Sequence, residues 1–258
     1  MDFLNKIIIE NDINIIYHLA ANNNNLNPNN FYDLYEINLR GTYALLEACR
    51  PISTIKLIAF SSSEEVFGIL QNRQTEASYN AYMVSKAASE LIIKAHCDNS
   101  GQNVAIVRMS NLYGGGDLNF NRLIPSIFQS ILHHQPVKLR SNGTHLRDYL
   151  YVVDAVNAYK EITNSYLQNK IFGCHLFHLA SESRISTLGV VEKIKNICMK
   201  QDNAFTIDSS MTTSQERIGI NYDLSDQKEI INWQSQTSLE RGLRATHLWY
   251  SDYFQRKE

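Results

Sequence analysis

Strands and helices alternate along the first part of the chain, and this alternation constrains the fold more than any other feature. Short apolar runs at Ile13–His18, Ile55–Phe60 and Val104–Arg108 are typical of buried strands. Between them, apolar residues recur at helical spacing in 32–50 and 77–97. Successive strand-helix-strand units of this kind join parallel strands by right-handed crossovers. The sequence therefore predicts an α/β fold built on a doubly wound parallel sheet.

Beyond residue 110 the regular alternation gives way to a mixed pattern. It predicts the helices 123–133, 154–165, 187–199 and 239–254 and the short strands 137–140, 148–152 and 176–179. We expect residues 1–110 to form the main sheet domain, with its last strand and helix returning near 153–180. Residues 111–258 are then expected to form mainly a smaller carboxyl-terminal lobe. Ligands of such sheets lie outside the carboxyl ends of the strands.

The overall charge argues against two classes of partner. With a net charge of -2 and a pI of about 6.4, the chain lacks the basic surface of a nucleic-acid or membrane-surface binder. The four cysteines are scattered without a C-x-x-C pair, which favours reduced thiols in a cytoplasm. No apolar run reaches the roughly 20 residues that span a bilayer. We expect a cytoplasmic protein with no metal site and no nucleic-acid or membrane partner.

Tyr82 and Lys86 form the first pair with a chemical interpretation. Four residues apart on a predicted helix, they share one face, where the ammonium lowers the pKa of the phenol and makes it a usable acid or base. The spacing alone is weak evidence, because both residue types are common in this chain. An exposed helix with a cation over an aromatic edge is the alternative.

A hydroxyl- and acid-rich segment, 61–68, follows the strand that ends at Phe60. Its side chains emerge where a parallel sheet presents ligand-binding groups. Of the adjacent acids Glu64 and Glu65, one is able to stay ionised as a base while its neighbour, with a raised pKa, serves as an acid. A solvated acidic turn is the alternative for this segment taken alone.

Seven segments together resemble the NAD-dependent epimerase/dehydratase family of extended short-chain dehydrogenases, and the resemblance covers essentially the whole chain. They are His18-Leu19-Ala20-Ala21, Asn38-x-x-Gly41-Thr42, 62–68, Tyr82-x-x-x-Lys86, 108–114, 122–125 and 147–154. The resemblance implies a Rossmann-type sheet, NAD as cofactor and a nucleotide sugar as substrate. It also implies a homodimer formed through the helices 32–50 and 79–97. Residues 1–110 then correspond to a dinucleotide-binding domain, and 111–258 mainly to a nucleotide-sugar-binding lobe.

The resemblance also assigns roles to individual residues. The implied catalytic residues are Ser63, Glu64, Glu65, Tyr82 and Lys86. The implied cofactor-binding residues are Leu19, Ala20, Ala21, Asn38, Ser61, Ser62, Tyr82 and Lys86. The implied substrate-binding residues are Asn111, Arg122, Leu123 and Arg147. A guanidinium fork at Arg147 suits phosphate oxygens, whereas an ion pair with Asp148 or Asp154 is the structural alternative.

Within the family, the segment Ser63-Glu64-Glu65 is similar to the Thr-Asp-Glu set of sugar-nucleotide 4,6-dehydratases. The segments 114–117 and 122–125 resemble those of CDP-glucose 4,6-dehydratases. The resemblance implies oxidation at sugar C4, loss of water across C5 and C6, and return of the hydride to C6. A nucleotide-sugar 4-epimerase is the first alternative. A non-catalytic nucleotide-sugar-binding or scaffold protein is the second.

One family motif has no counterpart. No glycine precedes Gly41, and the G-x-x-G-x-x-G turn that grips the pyrophosphate is absent from the sequence. By family analogy, an amino-terminal piece of roughly 60 residues and three strands is lost from this doubly wound sheet. We expect NAD binding to be weakened and activity impaired. The strand Ile13–His18 is expected to present an open edge, on which unpaired backbone groups invite association.

Overall fold

A computed structural model describes residues 2–23, 31–67, 80–139, 141–181, 183–198, 205–207 and 230–256. Parts of four predictions lie outside these ranges: Gly68 of the acidic segment, the start of the helix predicted from residue 77, Arg140, and the last residue of the helix predicted over 187–199. The described residues divide into two compact units. Unit 1 lies within 1–109, 157–179 and 222–233, and unit 2 within 110–156, 180–221 and 234–258.

The elements of unit 1 follow the predicted alternation. In chain order they are α1 (Asp2–Glu10), β1 (Ile15–His18), α2 (Phe31–Tyr35), α3 (Gly41–Cys49), β2 (Leu57–Ser61), α4 (Ala81–Ser100) and β3 (Val104–Met109). Two strands begin two residues later than predicted, because turns occupy the positions before them. The Ile13 amide bonds to the Ile8 carbonyl, and the Ile55 amide to the Ile52 carbonyl.

In unit 2 and the returning segment the elements are shorter. They are β4 (Asn111–Tyr113), α5 (Leu123–Leu132), β5 (Val137–Leu139), β6 (Leu146–Tyr151), α6 (Val152–Leu167), β7 (Cys174–Leu179), β8 (Arg184–Ser186), α7 (Thr187–Cys198), β9 (Phe205–Ile207) and α8 (Leu239–Gln255). Strands β4, β6 and β8 form one sheet, and β5 pairs with β9. A core of unit 2 gathers Phe128, Leu243 and Tyr250 with their neighbours, and these three are almost fully buried.

The sheet of unit 1 has the order β1-β2-β3-β7, with every neighbouring pair parallel. The predicted α/β class with a doubly wound, Rossmann-type parallel sheet is confirmed. Strand β7 returns to this sheet beside β3, as predicted, with Val107 opposite Phe177. Strand β1 forms the other edge of the described sheet.

Helices cover both faces of this sheet. On one face, Ile58, Phe60 and Ile106 pack in a cluster with residues of α1, α3 and α4. On the other face, the Tyr17 hydroxyl lies 2.8 Å from Thr163 Oγ1 of α6. Alternating strand residues therefore face opposite helical layers, which explains why these strands are mostly apolar on both faces.

The helix predicted over 32–50 is not one regular α-helix. Between α2 and α3 the chain makes a π-helical turn, Glu36–Arg40, in which the Gly41 amide bonds to the Glu36 carbonyl five residues earlier. Such a turn inserts one extra residue into a helix. Asn38 and Thr42 are both buried, at 2% and 1% exposure. The extra residue thus accompanies two inward-facing polar side chains.

No helix in the described ranges combines the length and the apolar character that crossing a membrane requires.

Candidate active site

The carboxyl end of β2 presents three consecutive serines. The Ser62 amide still bonds to the Val107 carbonyl, 2.8 Å away, and so keeps the chain beside β3. Ser63 then caps a short 3-10 helix, Glu64–Val66, with its Oγ accepting a hydrogen bond from the Glu65 amide at 3.2 Å. A serine in this position supplies a partner for a helix-start amide. The acidic segment is thus an ordered turn over residues 61–67.

Asn80 connects this acidic turn to α4. Its Oδ1 caps the helix by accepting from the Met83 amide at 2.7 Å. Its Nδ2 donates to Glu65 Oε2 at 3.0 Å. One side chain therefore fixes both the start of the helix and the carboxylate of Glu65. Tyr82 lies two residues after this cap and is half-buried.

Lys86, a predicted catalytic residue, is buried, with 2% of its surface exposed. Its Nζ donates to the Ser61 carbonyl at 2.7 Å and lies 5.9 Å from the centre of the Tyr82 ring. Burial lowers the pKa of Lys86 to about 8, and the charge of Glu90 opposes this shift. The ammonium is therefore still protonated at neutral pH, next to the phenol.

His18, at the end of β1, is held as a neutral ring. Burial, and secondly the charge of Lys86, lower its pKa to about 4. Its Nε2 lies 3.1 Å from Thr42 Oγ1, and that hydroxyl donates its proton to the Asn38 carbonyl at 2.6 Å. Because a hydroxyl has one proton, His18 must donate from Nε2 and leave Nδ1 as the acceptor.

Asn38 holds the chain that leaves β1. Its Oδ1 accepts from the Asn22 amide at 2.7 Å, and its Nδ2 donates to the Asn22 carbonyl at 2.9 Å and to Ser85 Oγ at 3.0 Å. The segment Leu19–Ala21 is exposed. Its backbone position is therefore set by a buried amide that also contacts α4.

The predicted substrate-side residues lie in unit 2. Asn111 pairs with Tyr149 across β4 and β6. Because side chains alternate along a strand, Arg147, two residues before Tyr149, shares a face of this sheet with Asn111. Arg122 precedes α5 and forms an exposed ion pair with Asp117 at 3.0 Å, and the adjoining Leu123 is half-buried.

The two acids that were alternatives for Arg147 have other partners. Asp148 Oδ1 accepts from the Ser181 amide at 2.9 Å. The Asp154 carboxylate accepts four hydrogen bonds of 2.8 to 3.2 Å from the segment 235–237. The donors are the amides of Gln236 and Thr237 and the hydroxyls of Ser235 and Thr237. Both acids therefore fasten the loops of unit 2.

Two buried residues beside the site were not predicted as site residues. Glu90 is fully buried and accepts two hydrogen bonds from Arg108, from Nε at 2.9 Å and from Nη2 at 2.6 Å. Ser62 Oγ donates to the same carboxylate at 2.5 Å. Two signals were present in the sequence: a glutamate four residues after Lys86, and an arginine inside an otherwise apolar strand.

A sequence model of the NAD dependent epimerase/dehydratase family matches residues 1–174. This chain belongs to that family. NAD is the family's cofactor, and the recognition made from the motifs is confirmed. A dTDP-glucose 4,6-dehydratase of Haemophilus influenzae is 28% identical over 91% of this chain and 75% of its own length.

Two further relatives show how much of a longer protein the chain spans. A trifunctional UDP-glucose 4,6-dehydratase of Arabidopsis thaliana, which is also an epimerase and a reductase, is 26% identical over 97% of this chain, but the match spans 38% of that protein. A crystal structure of a dTDP-glucose 4,6-dehydratase of Bacillus anthracis with NAD superposes with a TM-score of 0.82 and 25% identity. It covers 98% of this chain and 77% of that one.

The residues at the carboxyl ends of β1 and β2 fit the nicotinamide side of NAD. The exposed residues Leu19–Ala21 and the buried Lys86 ammonium offer a surface and a cation at the same edge of the sheet. For the pyrophosphate side, the sequence has no G-x-x-G-x-x-G turn. The fit therefore concerns the half of the cofactor at which hydride is exchanged.

Proposed function

We propose that this chain is an NAD-dependent sugar-nucleotide 4,6-dehydratase, and thus an enzyme. One observation carries the proposal: Asn80 ties the Glu65 carboxylate to the first turn of α4, which presents Tyr82 and Lys86. A phenol that acts as acid or base, together with a carboxylate tied to the same helix, suits a reaction with proton transfers at two neighbouring carbons. The similarity to 4,6-dehydratases in sequence and structure supports the same reaction.

In this proposal each site residue moves or holds a proton at a defined sugar atom. The Lys86 ammonium stabilises the Tyr82 phenolate, which takes the proton of the C4 hydroxyl and becomes a neutral phenol. Ser63 holds the C4 oxygen. Once C4 is a ketone, the C5 proton is acidic, and Glu65 removes it while Glu64 protonates the leaving C6 hydroxyl.

The proposed NAD-binding residues are those around β1 and β2. When bound, NAD would supply hydride acceptor and donor chemistry at the sugar. The residues that would hold its nicotinamide side are Leu19, Ala20, Ala21, Asn38, Ser61, Ser62, Tyr82 and Lys86. Unit 1 is then the cofactor-binding part of the chain.

The nucleotide-sugar diphosphate is proposed to bind to unit 2. Asn111 and Arg147 share one face of the β4-β6-β8 sheet, where an amide and a guanidinium suit phosphate oxygens. Arg122 and Leu123 at the start of α5 are the other proposed contacts. We also propose a cytoplasmic location, where free thiols such as those of Cys49 and Cys97 stay reduced.

The test is incubation of the chain with NAD and dTDP-glucose or UDP-glucose in D2O, followed by mass spectrometry and NMR. A dehydratase releases one water and incorporates deuterium at C5, because Glu65 exchanges the C5 proton with solvent. Formation of the C4 epimer without deuterium would instead show an epimerase, which needs neither Glu64 nor Glu65. Binding of the nucleotide sugar without any product at saturating NAD would show a non-catalytic protein.

Variants separate the two half-reactions. Tyr82→Phe is expected to slow oxidation by about 100- to 10,000-fold, the usual contribution of a general acid or base. Glu65→Gln is expected to permit oxidation and to stop water loss, so that reduced cofactor accumulates. Glu10→Gln, an exposed carboxylate on α1, is the matched control. Water loss at the normal rate in Glu65→Gln would refute the role of Glu65.

We further propose a homodimer formed through the outer faces of α3 and α4. A groove of about 350 Å³ with Tyr43 in its lining runs between these helices. Ile37, Tyr43 and Leu91, on the segments 36–49 and 81–100, are 43% to 55% exposed. Exposed apolar side chains gathered on neighbouring helices suit an interface. Sedimentation is expected to give a dimer, and Leu91→Glu a monomer. Leu248→Glu, at a leucine of unit 2 that is 70% exposed, should leave the dimer intact. A wild-type monomer would refute the proposal.

A further inference from the structure

A buried ion pair lies one helical turn beyond Lys86. Glu90 and Arg108 are 0% and 3% exposed, and they meet through two parallel hydrogen bonds of 2.9 and 2.6 Å. Glu90 belongs to the same helix face as Lys86, because the two are four residues apart on α4. Arg108 lies on β3, the strand next to β2. The pair therefore connects the helix that carries Tyr82 with the centre of the sheet.

The same carboxylate holds the serine segment. Ser62 Oγ donates to Glu90 Oε1 at 2.5 Å. On one side of Ser62 is Ser61, whose carbonyl accepts from Lys86. On the other side is Ser63, the proposed holder of the C4 oxygen. Glu90 thus fixes Ser62, which lies between the Ser61 carbonyl that binds Lys86 and the Ser63 side chain proposed to hold the C4 oxygen.

Packing reinforces the position of Arg108. Its guanidinium lies over the Phe67 ring, 4.4 Å from the ring centre, and Phe67 meets the His178 ring edge-on at 5.0 Å. A buried ion pair contributes little to stability, and apolar residues of similar volume often replace it without loss. The presence of this pair beside the site is therefore better explained by what its charge does there.

The titratable and charged groups near Lys86 come from three elements of unit 1. Tyr82 and Glu90 are on its own helix α4, His18 is on β1, and Arg108 on β3 faces it by way of Glu90. His18 is neutral near pH 7, since its pKa is about 4. Glu90 is the group whose charge favours the protonated ammonium against the effect of burial.

We propose that Glu90 is a positioning residue that keeps the Lys86 ammonium charged and holds Ser62 in place, with Arg108 orienting its carboxylate. The consequence for catalysis rests on the proposed function, in which that ammonium stabilises the Tyr82 phenolate. The effect on Lys86 itself does not depend on turnover.

The deciding variant is Glu90→Gln/Arg108→Gln, which removes both charges and keeps hydrogen-bonding side chains. Glu90→Gln alone would leave Arg108 buried and uncompensated, and such a variant is prone to misfold. Glu240→Gln/Arg244→Gln removes an exposed pair on α8 and is the matched control. Ser62→Ala keeps the ion pair and removes only the serine contact.

The measurement is an NMR titration of the Lys86 side chain in protein labelled at lysine, with Lys86→Met to assign the signal. In Glu90→Gln/Arg108→Gln the midpoint is expected to fall by up to about one pH unit, because the loss of the opposite charge of Glu90 lowers it and the loss of the Arg108 cation offsets part of that effect. In the control and in Ser62→Ala it is expected to stay at the wild-type value. An unchanged midpoint in the double variant would overturn the proposal.

Activity, where present, gives a second reading. The alkaline limb of the kcat profile should move to lower pH by the same amount in the double variant, because Lys86 loses its proton earlier. In Ser62→Ala, the profile should keep its shape while kcat falls. A Lys86 midpoint that moves in a chain without turnover refutes the dehydratase function and supports the role of Glu90. Turnover with an unmoved midpoint refutes the role of Glu90 alone.

Discussion

Replacing Lys86 by methionine should change how the stability of the protein depends on pH. In the folded chain, burial lowers the pKa of Lys86 to about 8, against 10.5 for an ordinary lysine. The unfolded chain therefore binds more protons between these two values. Stability of the wild type must rise with pH across this window, reach its full value above 10.5 and lose this contribution as the pH falls through 8.

The size of the effect follows from the two pKa values. Each pH unit between them is worth about 1.4 kcal/mol, so the difference between pH 7 and pH 10 is about 2.5 kcal/mol. Methionine has a similar length and no charge, and its stability lacks this term. Loss of the hydrogen bond to the Ser61 carbonyl adds an offset that is the same at every pH.

The assay is guanidinium-induced unfolding, followed by circular dichroism at several pH values from 7 to 10. The free energy of unfolding of Lys86→Met relative to wild type is expected to fall by about 2.5 kcal/mol over this range. Lys6→Met, at an exposed lysine of α1, is the control and should show no such change. A difference between Lys86→Met and wild type that stays constant from pH 7 to pH 10 would refute the reasoning.

Two further predictions concern the stability of unit 2. Asp154→Ala removes the acceptor of four hydrogen bonds from 235–237 and should lower the free energy of unfolding by about 3 kcal/mol; Asp252→Ala, exposed on α8, should change it by less than about 0.5 kcal/mol. Gly115→Ala places a methyl group 2.4 Å from Trp249 Cγ and should destabilise by about 1 to 3 kcal/mol, with a change in tryptophan fluorescence. Full stability in either variant would contradict the packing described for this unit.

The order of elements was predictable because apolar periodicity is a local signal. Strand β3 is buried at all six positions, and the sequence shows this as an apolar run. The boundaries depend on contacts that periodicity does not encode. Helix α4 begins at Ala81 because the Asn80 side chain caps it, and the same side chain reaches Glu65. Nothing in the local sequence pattern marks this asparagine as a helix cap.

The catalytic candidates were predictable as types of residue, whereas their connections were not. The spacing of Tyr82 and Lys86 indicates a shared helix face, and the ammonium does lie near the phenol ring. The bond from Lys86 to the Ser61 carbonyl joins residues 25 positions apart. Such a contact follows from the stacking of α4 on the sheet, which one sequence does not specify. For the same reason Glu90 and Arg108 were missed as a pair.

Charged residues buried inside an apolar pattern carry information of their own. Lys86, Glu90 and Arg108 are each at most 3% exposed, although burying a charge opposes folding in a protein whose stability is only about 5 to 15 kcal/mol. Two cations and one anion leave a net positive charge away from water. That excess favours any neighbouring group that becomes negative, and Tyr82 is the neighbouring group with a proton to give. The buried charged residues therefore point to the surroundings of Tyr82 as the functional site. The sequence motifs indicate the same site, but this physical argument does not depend on them.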